Sequence, residues 1–356
     1  MTAYLVNIAL LFVWAALFLW QPQGRKNKKL FCALASVQWI ALSGLRHVSV
    51  GADTLQYKAH FDRVLYISWN ELLGRAWGTY FGPLELKDPG YAIFVKAMQL
   101  VSHDYQVFLI LIAMVFTIPL GVFIYRYSTD PLLSFLIYST LFYSFFAITG
   151  IRQTVATALV VLIGYHFIEK RRLVPFLLLA AAAFTIHASS VGFVPFYFLA
   201  NKRLSGWIAT ALLGAPIVVY VFRLEVMQFL GALSGYEQYA RQFEGAGTWV
   251  FTGMLVLTVI VTLVRFASMP REEPHVNAAF NALLLGLVFA PLTFLDPNAM
   301  RVVQYATLFL LILGPALVAS FQTRHERAIV HLVAASALVF LFVGGNPQYI
   351  FFWQGL

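Results

Sequence analysis

The stretch YQVFLILIAMVFTIPLGVFIY, residues 105–125, decides the fold class of this chain. It contains no charged side chain, and about 20 apolar residues in a helix cross the hydrocarbon core of a bilayer. Because lipid offers no water to backbone N–H and C=O groups, a crossing segment must satisfy them internally, as a helix does. The stretch therefore predicts a membrane-spanning α-helix.

Similar apolar runs recur along the whole chain. They lie at residues 3–20, 29–45, 131–149, 153–169, 173–187, 188–200, 204–222, 249–267, 277–295, 300–320 and 329–345. The 356 residues are 61% hydrophobic and 11% charged, whereas soluble domains carry roughly 25% charged residues. The sequence predicts an all-α, polytopic integral membrane protein of about twelve transmembrane helices, with residues 1–356 forming one domain.

Basic residues give the predicted orientation. The formal net charge is +9, but these residues lie between apolar runs, which favours a membrane topology over nucleic-acid binding. Basic clusters follow alternate runs, at 25–29, 126, 170–172, 202–203, 265–271 and 324–327. The positive-inside rule places the clusters in the cytoplasm. Both termini and the two long loops, 46–104 and 223–248, are then expected on the outer face.

Residues 173–200 lie between two basic clusters, so the chain must cross the membrane there an even number of times. The segment is too short for two full spans. We therefore expect two short helices that turn near His187 and Ser189–Ser190.

The outer loop 46–104 contains a stretch, residues 55–77, that mixes aromatic and charged side chains at helical spacing. This pattern predicts one amphipathic helix on the membrane surface. Asp88–Tyr91 is expected to form a turn. The remaining charges are interpreted as belonging to a solvated face: Lys58, Arg63, Arg75, Lys87 and Lys96.

Arg152 stands in the motif GIRQ, residues 150–153, where an apolar run begins. Gly150 allows a close approach of the backbone to a ligand, and unpaired N–H groups at a helix start favour an anion. Arg152 and Gln153 would add the N–H donors of a guanidinium group and an amide, so the motif predicts a phosphate-binding site. The alternative is an arginine that anchors the helix end at the membrane surface.

Arg301 stands in DPNAMRVVQY, residues 296–305. Asp296 as the N-cap and Pro297 as the first helical residue would place Arg301 about one turn inside a helix. A charge at that depth is costly unless it is paired or used. Arg301 is therefore expected either to bind an anionic ligand or to pair with Asp296.

Arg46 follows the run 29–45, and Asp53 comes soon after it in GADT. Asp53 and Gln56 have the spacing of a capping box for the surface helix. The alternative is that the Asp53 carboxylate acts as a general base or pairs with Arg46.

His187 stands in FTIHASS, within an apolar stretch, where a histidine is more often structural than catalytic. Its ordinary pKa near 6.5 nevertheless suits proton transfer. Arg241 lies between Glu237 and Glu244 and is most simply a helical salt-bridge residue. It is kept as a secondary candidate for anion binding.

Several chemistries lack a signature in this sequence. The only cysteine, Cys32, lies in an apolar run, and there is no Cys/His metal spacing, Walker motif or GxSxG motif. No predicted span has an acidic residue at its middle, which weakens a proton-coupled transporter. We expect neither a metal nor a cofactor.

Four segments, in this order, resemble the EpsG family of Wzy-like membrane proteins: LRHVSVGADTLQYKAHFD, GIRQTVATALVV, AAAAFTIHASSVGFVPFYFLA and NAMRVVQYATLFLLILGP. The resemblance gives weight to Arg46, Gly51, Asp53, Tyr57, Arg152, Gln153, His187 and Arg301. Thr54 and Phe61 match the polar and aromatic positions of the family pattern.

The resemblance implies a Wzy-like or GT-C-like architecture and a role in exopolysaccharide, capsule or O-antigen synthesis. The expected activity joins undecaprenyl-diphosphate-linked oligosaccharide repeats at the periplasmic face of the bacterial inner membrane. Expected partners are that lipid-linked substrate, membrane lipid, and a flippase and chain-length regulator of the same pathway. The alternatives are a lipid-linked oligosaccharide flippase or transporter, a glycan ligase and an acyltransferase.

Residue roles follow from that substrate class. Arginine binds phosphate in a bidentate manner and stays charged, so the diphosphate is assigned to Arg152 and Arg301. The supporting diphosphate ligands are Arg46, Gln153 and Arg241. Asp53 or His187 would serve as the base or the orienting group for the acceptor hydroxyl, and Tyr57 would contact the glycan.

Overall fold

The structure is a computed structural model and describes residues 2–22, 27–84, 87–203, 206–234, 248–265, 268–269, 274–343 and 348–354. Within these ranges the regular structure is helical, and extended pairing is limited to one isolated bridge between Arg46 and Phe351. The predicted all-α class is confirmed.

Helices follow one another along the chain with short connections. The first are α1 (Thr2–Phe18), α2 (Lys28–Gly44), α3 (Thr54–Leu65), α4 (Trp69–Phe81), α5 (Pro89–Gln99) and α6 (Tyr105–Tyr127). Next come α7 (Pro131–Ile137), α8 (Ile151–Thr157), α9 (Gly164–Glu169), α10 (Leu173–Ile186) and α11 (Phe196–Leu199). The last are α12 (Gly206–Val221), α13 (Arg223–Ser234), α14 (Trp249–Arg265), α15 (Pro274–Phe289), α16 (Met300–Thr307), α17 (Leu310–Ala319) and α18 (Arg324–Val343).

Irregular helical turns extend several of these elements. π-Helical turns continue α7 over Tyr138–Phe142 and Ser144–Ile148, and they join α8 to α9 over Ala158–Ile163. Short 3₁₀ turns occupy Ala188–Phe193, Ala290–Phe294 and Pro297–Ala299. Such irregular turns precede α8, which carries Arg152 and Gln153, and α16, which carries Arg301, and one follows His187.

Four helical stretches are long and apolar enough to cross a membrane: Tyr105–Tyr127, Ile151–Glu169, His275–Phe294 and Arg324–Phe342. Two bent pairs raise the number to 6 if each is one span, Leu212–Val221 with Arg223–Phe229 and Pro297–Thr307 with Leu310–Ala319. The chain is thus a multi-pass membrane protein. The expected count of about twelve spans is not confirmed in the described ranges, because other apolar runs form helices of only 10–17 residues.

The prediction of two short helices within residues 173–200 is confirmed. Helix α10 ends at Ile186, His187 has extended backbone angles, and a 3₁₀ turn begins at Ala188. The break brings the His187 side chain into the interior, where it is 2% exposed.

Helices α3, α4 and α5, which we call the cap, form a layer over one end of the bundle. The expected single helix over residues 55–77 is wrong, because the chain breaks before Ser68, whose hydroxyl accepts a hydrogen bond from the Glu71 N–H at 3.2 Å. A serine N-cap of this kind starts a new helix. The expected turn at Asp88–Tyr91 is instead the start of α5, with Asp88 at its N-cap.

Apolar side chains fasten the cap to the bundle. Phe61, Tyr91 and Val95 of the cap share one buried cluster with Phe108 of α6 and Val155 of α8. Each of these side chains is at most 3% exposed. Since burying a large apolar side chain stabilises a fold by about 1.5–3 kcal/mol, these contacts stabilise the docking of the cap against the bundle.

Gly90 sets the distance between the cap and α10. A Cβ atom on Gly90 would lie 2.2 Å from Thr185 Oγ1 and 2.9 Å from the Thr185 carbonyl carbon. A side chain at this position would push α5 away from the end of α10.

We expect Gly90→Ala to lower the melting temperature of the purified protein and to increase protease cleavage within the cap. Overpacking of this kind costs typically about 1–3 kcal/mol. Gly74→Ala on α4 is the control, because nothing lies within 4 Å of its Cβ position. Its melting temperature should match or exceed that of the wild type. Equal melting and cleavage for Gly90→Ala and wild type would contradict the close contact.

Candidate functional site

A cavity of about 470 Å³ lies between the cap and the bundle. We call it the cap cavity; its walls are α3, α4 and the start of α5 on one side and the starts of α8 and α16 on the other. His187, at the break after α10, also reaches it. The cap cavity therefore depends on the contact between the cap and the bundle.

Positive charge dominates the lining of the cap cavity. The cationic lining residues are Arg63, Arg75, Lys87, Arg152 and Arg301. The carboxylates are Asp53 and Asp88. The lining has five cations and two carboxylates, and Glu71 pairs with one of the cations, Arg75. An excess of positive charge remains, and a cleft with such an excess concentrates ligands of the opposite sign. The cap cavity thus favours an anionic ligand.

A larger groove of about 1110 Å³ lies along α1, α17 and α18. Most of its lining is apolar, and at its polar end His331 Nδ1 lies 3.2 Å from Asp130 Oδ2. Among the predicted site residues that the structure describes, none borders this groove. We therefore assign the candidate site to the cap cavity.

Asp88 joins the cap to two segments of the bundle. Its Oδ2 accepts a hydrogen bond from Arg152 Nη1 at 2.8 Å and lies 3.5 Å from His187 Nδ1. Its Oδ1 accepts the backbone N–H of Ala188 at 3.1 Å. The Asp88 side chain is 2% exposed and that of Arg152 is 25% exposed. The carboxylate is thus buried, while part of the arginine remains accessible.

The environment of Asp88 keeps its carboxyl group ionised. Burial by itself raises the pKa of Asp88. The hydrogen bond and charge of His187, the charge of Arg152 and the N–H of Ala188 outweigh burial, and the pKa lies below its ordinary value. The contact between Asp88 and Arg152 at neutral pH is therefore a charge pair.

The start of α8 is linked to the start of α16. Gln153 Nε2 donates hydrogen bonds to the Arg301 carbonyl oxygen at 2.8 Å and to Gln304 Oε1 at 3.2 Å. Gln153 is 2% exposed. Its amide therefore holds together the two helix starts that carry Arg152 and Arg301, and a direct contact of Gln153 with phosphate stays a prediction.

Arg301 borders the cap cavity without a carboxylate partner among the residues that the structure describes. The expected pairing with Asp296 is wrong. Asp296 Oδ1 instead accepts hydrogen bonds from Asn298 N at 2.8 Å and Asn298 Nδ2 at 2.9 Å. The expected capping role of Asp296 is confirmed, and binding of an anionic ligand by Arg301 stays a prediction.

Asp53 also borders the cap cavity and is half-buried. The expected capping box is wrong: Asp53 is the N-cap residue of α3, but its side chain makes no capping hydrogen bond. Within the described ranges, no basic side chain, including Arg46, forms an ion pair with Asp53. Its carboxylate is therefore open to the cavity.

His187 and Tyr57 complete the predicted residues at the cavity. His187 is 2% exposed beside Asp88, and Tyr57 packs edge-on against Tyr91 with ring centroids 5.8 Å apart. The cap cavity thus brings together Asp53, Tyr57, Arg152, Gln153, His187 and Arg301.

Arg46 does not border the cap cavity. It is 1% exposed, its Nη1 donates to the Ser43 carbonyl oxygen, and its backbone pairs with Phe351. Arg46 therefore lies where it can hold the C-terminal segment, and its assignment to the diphosphate stays a prediction without geometric support. Arg241 lies outside the described residues.

His60 of α3 lies among the cations of the cavity. Its ring stacks on Tyr91 with centroids 5.2 Å apart. Burial, together with the positive charges of Arg152 and Arg63, lowers the pKa of His60 to about 4. His60 is therefore neutral at physiological pH and adds no further charge to the cavity.

The sequence was compared with protein-family models, and the EpsG family model matches residues 29–346. The chain belongs to the EpsG family. Comparisons with curated proteins and with solved structures gave no match. Membership of the EpsG family fits a polysaccharide polymerase-like role in a membrane and agrees with the resemblance noted in the four sequence segments.

Part of the cap cavity has no clear signal in the local sequence. Arg63, Arg75 and Lys87 are exposed, as expected for solvated charges. They also border the cap cavity, which their local sequence does not indicate. Asp88 was expected only to begin a turn. Its local signal, an aspartate before a proline, indicates a helix N-cap, whereas its side-chain partners lie 64 and 99 residues away in the chain.

We expect the melting temperature of this EpsG-family protein to fall between pH 7 and pH 5, in part through His60. Because folding lowers the pKa of His60 from 6.5 to about 4, the unfolded chain binds more protons in this window, and stability falls as the pH falls. His60→Phe keeps a ring beside Tyr91 and removes the titration, so its melting temperature should fall less. An equal fall in the melting temperature of both proteins would contradict a contribution of His60 to the pH dependence.

Proposed function

We propose that this protein is a glycosyltransferase that polymerises undecaprenyl-diphosphate-linked oligosaccharides at the outer face of the bacterial inner membrane. The observation that carries the proposal is the placement of Arg152 and Arg301 in one cationic cavity, at two helix starts tied together by Gln153. The EpsG family supplies the substrate class.

The reaction places its main electrostatic demand on the leaving group. The bond between the anomeric carbon of the donor sugar and the diphosphate oxygen breaks, and that carbon bonds to the acceptor oxygen. Negative charge grows on the departing undecaprenyl diphosphate. Preorganised cations stabilise such a charge most strongly in a site that excludes water, and Arg152 and Arg301 take this role.

The acceptor hydroxyl must lose its proton as it attacks. Asp53 and His187 both border the cap cavity, but they differ in access and in partners. His187 is 2% exposed and lies against Asp88, whereas Asp53 is half-buried and forms no ion pair among the described residues. We therefore assign proton acceptance to Asp53 and a supporting role to His187.

The location of the charges favours a transferase over a flippase. A flippase that moves a charged, glycosylated lipid needs polar groups through the depth of the membrane. The charged residues of the cap cavity belong instead to the cap and to the starts of α8 and α16. This arrangement serves chemistry at one membrane face.

Purified protein incubated with one lipid-linked repeat should produce a ladder of longer products. Arg152→Ala and Arg301→Ala should each lower turnover by roughly 100-fold or more, as expected when a group that stabilises a developing anion is removed. Product length on a gel and released undecaprenyl diphosphate measure the effect.

Arg223→Ala is the matched control, because Arg223 lies outside the cavity and donates to the Tyr220 carbonyl oxygen. It should retain wild-type turnover and melting temperature. A single addition to a different acceptor would indicate a ligase. Unchanged ladders in both Arg152→Ala and Arg301→Ala would refute the diphosphate site.

A further inference from the structure

Asp88 contacts both walls of the cap cavity from its place at the start of α5. One carboxylate receives the Arg152 guanidinium at 2.8 Å, His187 Nδ1 at 3.5 Å and the Ala188 N–H at 3.1 Å. These groups lie 64, 99 and 100 residues along the chain from Asp88. A single side chain therefore links the cap, the start of α8 and the break after α10.

We propose that Asp88 is a positioning residue, whose carboxylate orients Arg152 toward the leaving diphosphate when the cap is docked. This inference rests on the function proposed above for Arg152. Asp88 itself does not bind the substrate in this account; it acts through the guanidinium group that it holds.

The difference in exposure between the two partners supports this role. The Asp88 side chain is 2% exposed and Arg152 is 25% exposed. The arginine therefore meets a ligand while the carboxylate supports it from the protein side. Partners that orient a ligand-binding side chain typically change activity by roughly 10- to 100-fold when they are removed.

The backbone conformation at Asp88 does not by itself require a carboxylate. Asp88 has φ +51° and ψ +55°, in the left-handed region that glycine and asparagine also adopt readily. Glycine or asparagine would therefore meet the conformational need, and neither would supply a negative charge. The charge is what Arg152 requires, because a partly buried guanidinium is stabilised by a paired carboxylate.

The pairing also couples the position of the cap to the chemistry. Gly90 holds α5 against the end of α10, two residues after Asp88. If the cap moves away, Asp88 moves with it and Arg152 loses its partner. The orientation of Arg152 thus depends on the position of α5.

The test is a double-mutant cycle of Asp88→Asn and Arg152→Ala in the polymerisation assay. Asparagine keeps the size and the left-handed backbone, so it removes mainly the charge. We expect Asp88→Asn to lower kcat by roughly 10- to 100-fold with little change in KM, as for an interaction made in the transition state. The double variant should be no slower than Arg152→Ala alone, because both changes remove one interaction.

Asp62→Asn is the control, since Asp62 is an exposed cap carboxylate that pairs with Lys58 of the same helix. It should retain wild-type kcat. Wild-type kcat for Asp88→Asn, or losses that multiply in the double variant, would overturn the inference. Should Asp88→Asn fail to fold, Asp88→Glu and Asp88→Gln make the same comparison at equal side-chain length, and equal kcat for the two would overturn it.

The outcomes separate this inference from the proposed function. Loss of activity in Arg152→Ala with normal activity in Asp88→Asn overturns the role of Asp88 alone. A wild-type protein without a ladder, or an Arg152→Ala variant with full turnover, overturns the proposed function and the role of Asp88 together.

Discussion

The buried carboxylate of Asp88 is the interaction on which the candidate site depends. It joins a cap helix to the start of one membrane-spanning segment and to the break in a neighbouring helical pair. Apolar packing docks the cap, but packing alone does not specify which polar groups meet across the junction. The hydrogen bonds of Asp88 specify which groups meet, because a buried charge without its partners is strongly destabilising. The cap cavity is the space left around that junction.

The cost of placing a charge in lipid bears on where Arg152 and Arg301 lie in their helices. Arginine within lipid is expensive, whereas arginine at a helix start can reach both water and a lipid headgroup. Arg152 and Arg301 occupy such starts, and Gln153 ties the two together through the Arg301 carbonyl oxygen. Arg46 is placed differently. It is buried, its guanidinium group donates to a backbone carbonyl oxygen, and its backbone pairs with the C-terminal segment. Arginine thus has a structural contact at Arg46, and we propose a ligand-binding role for it at Arg152 and Arg301.

Local sequence patterns predicted the features that depend on local physics. Apolar runs predicted the helices, and the even number of crossings between two basic clusters predicted the break at His187. The Asp296–Pro297 pair predicted the helix N-cap that precedes Arg301. The GIRQ and GADT motifs identified Arg152 and Asp53 as lining residues. The patterns did not predict the role of Asp88, whose partners are distant in the chain, or the break before Ser68. The number of full spans also depends on helix length and bending, which hydropathy does not encode.

The central claim is that the cap cavity holds the diphosphate of the lipid-linked donor between Arg152 and Arg301. A cryo-electron microscopy structure of the protein in a nanodisc with a non-transferable donor analogue tests it most directly. The account predicts diphosphate density within hydrogen-bond distance of both guanidinium groups, beneath a docked cap in which Asp88 still contacts Arg152. Density for the diphosphate elsewhere, such as in the groove along α18, with an empty cap cavity, would contradict it.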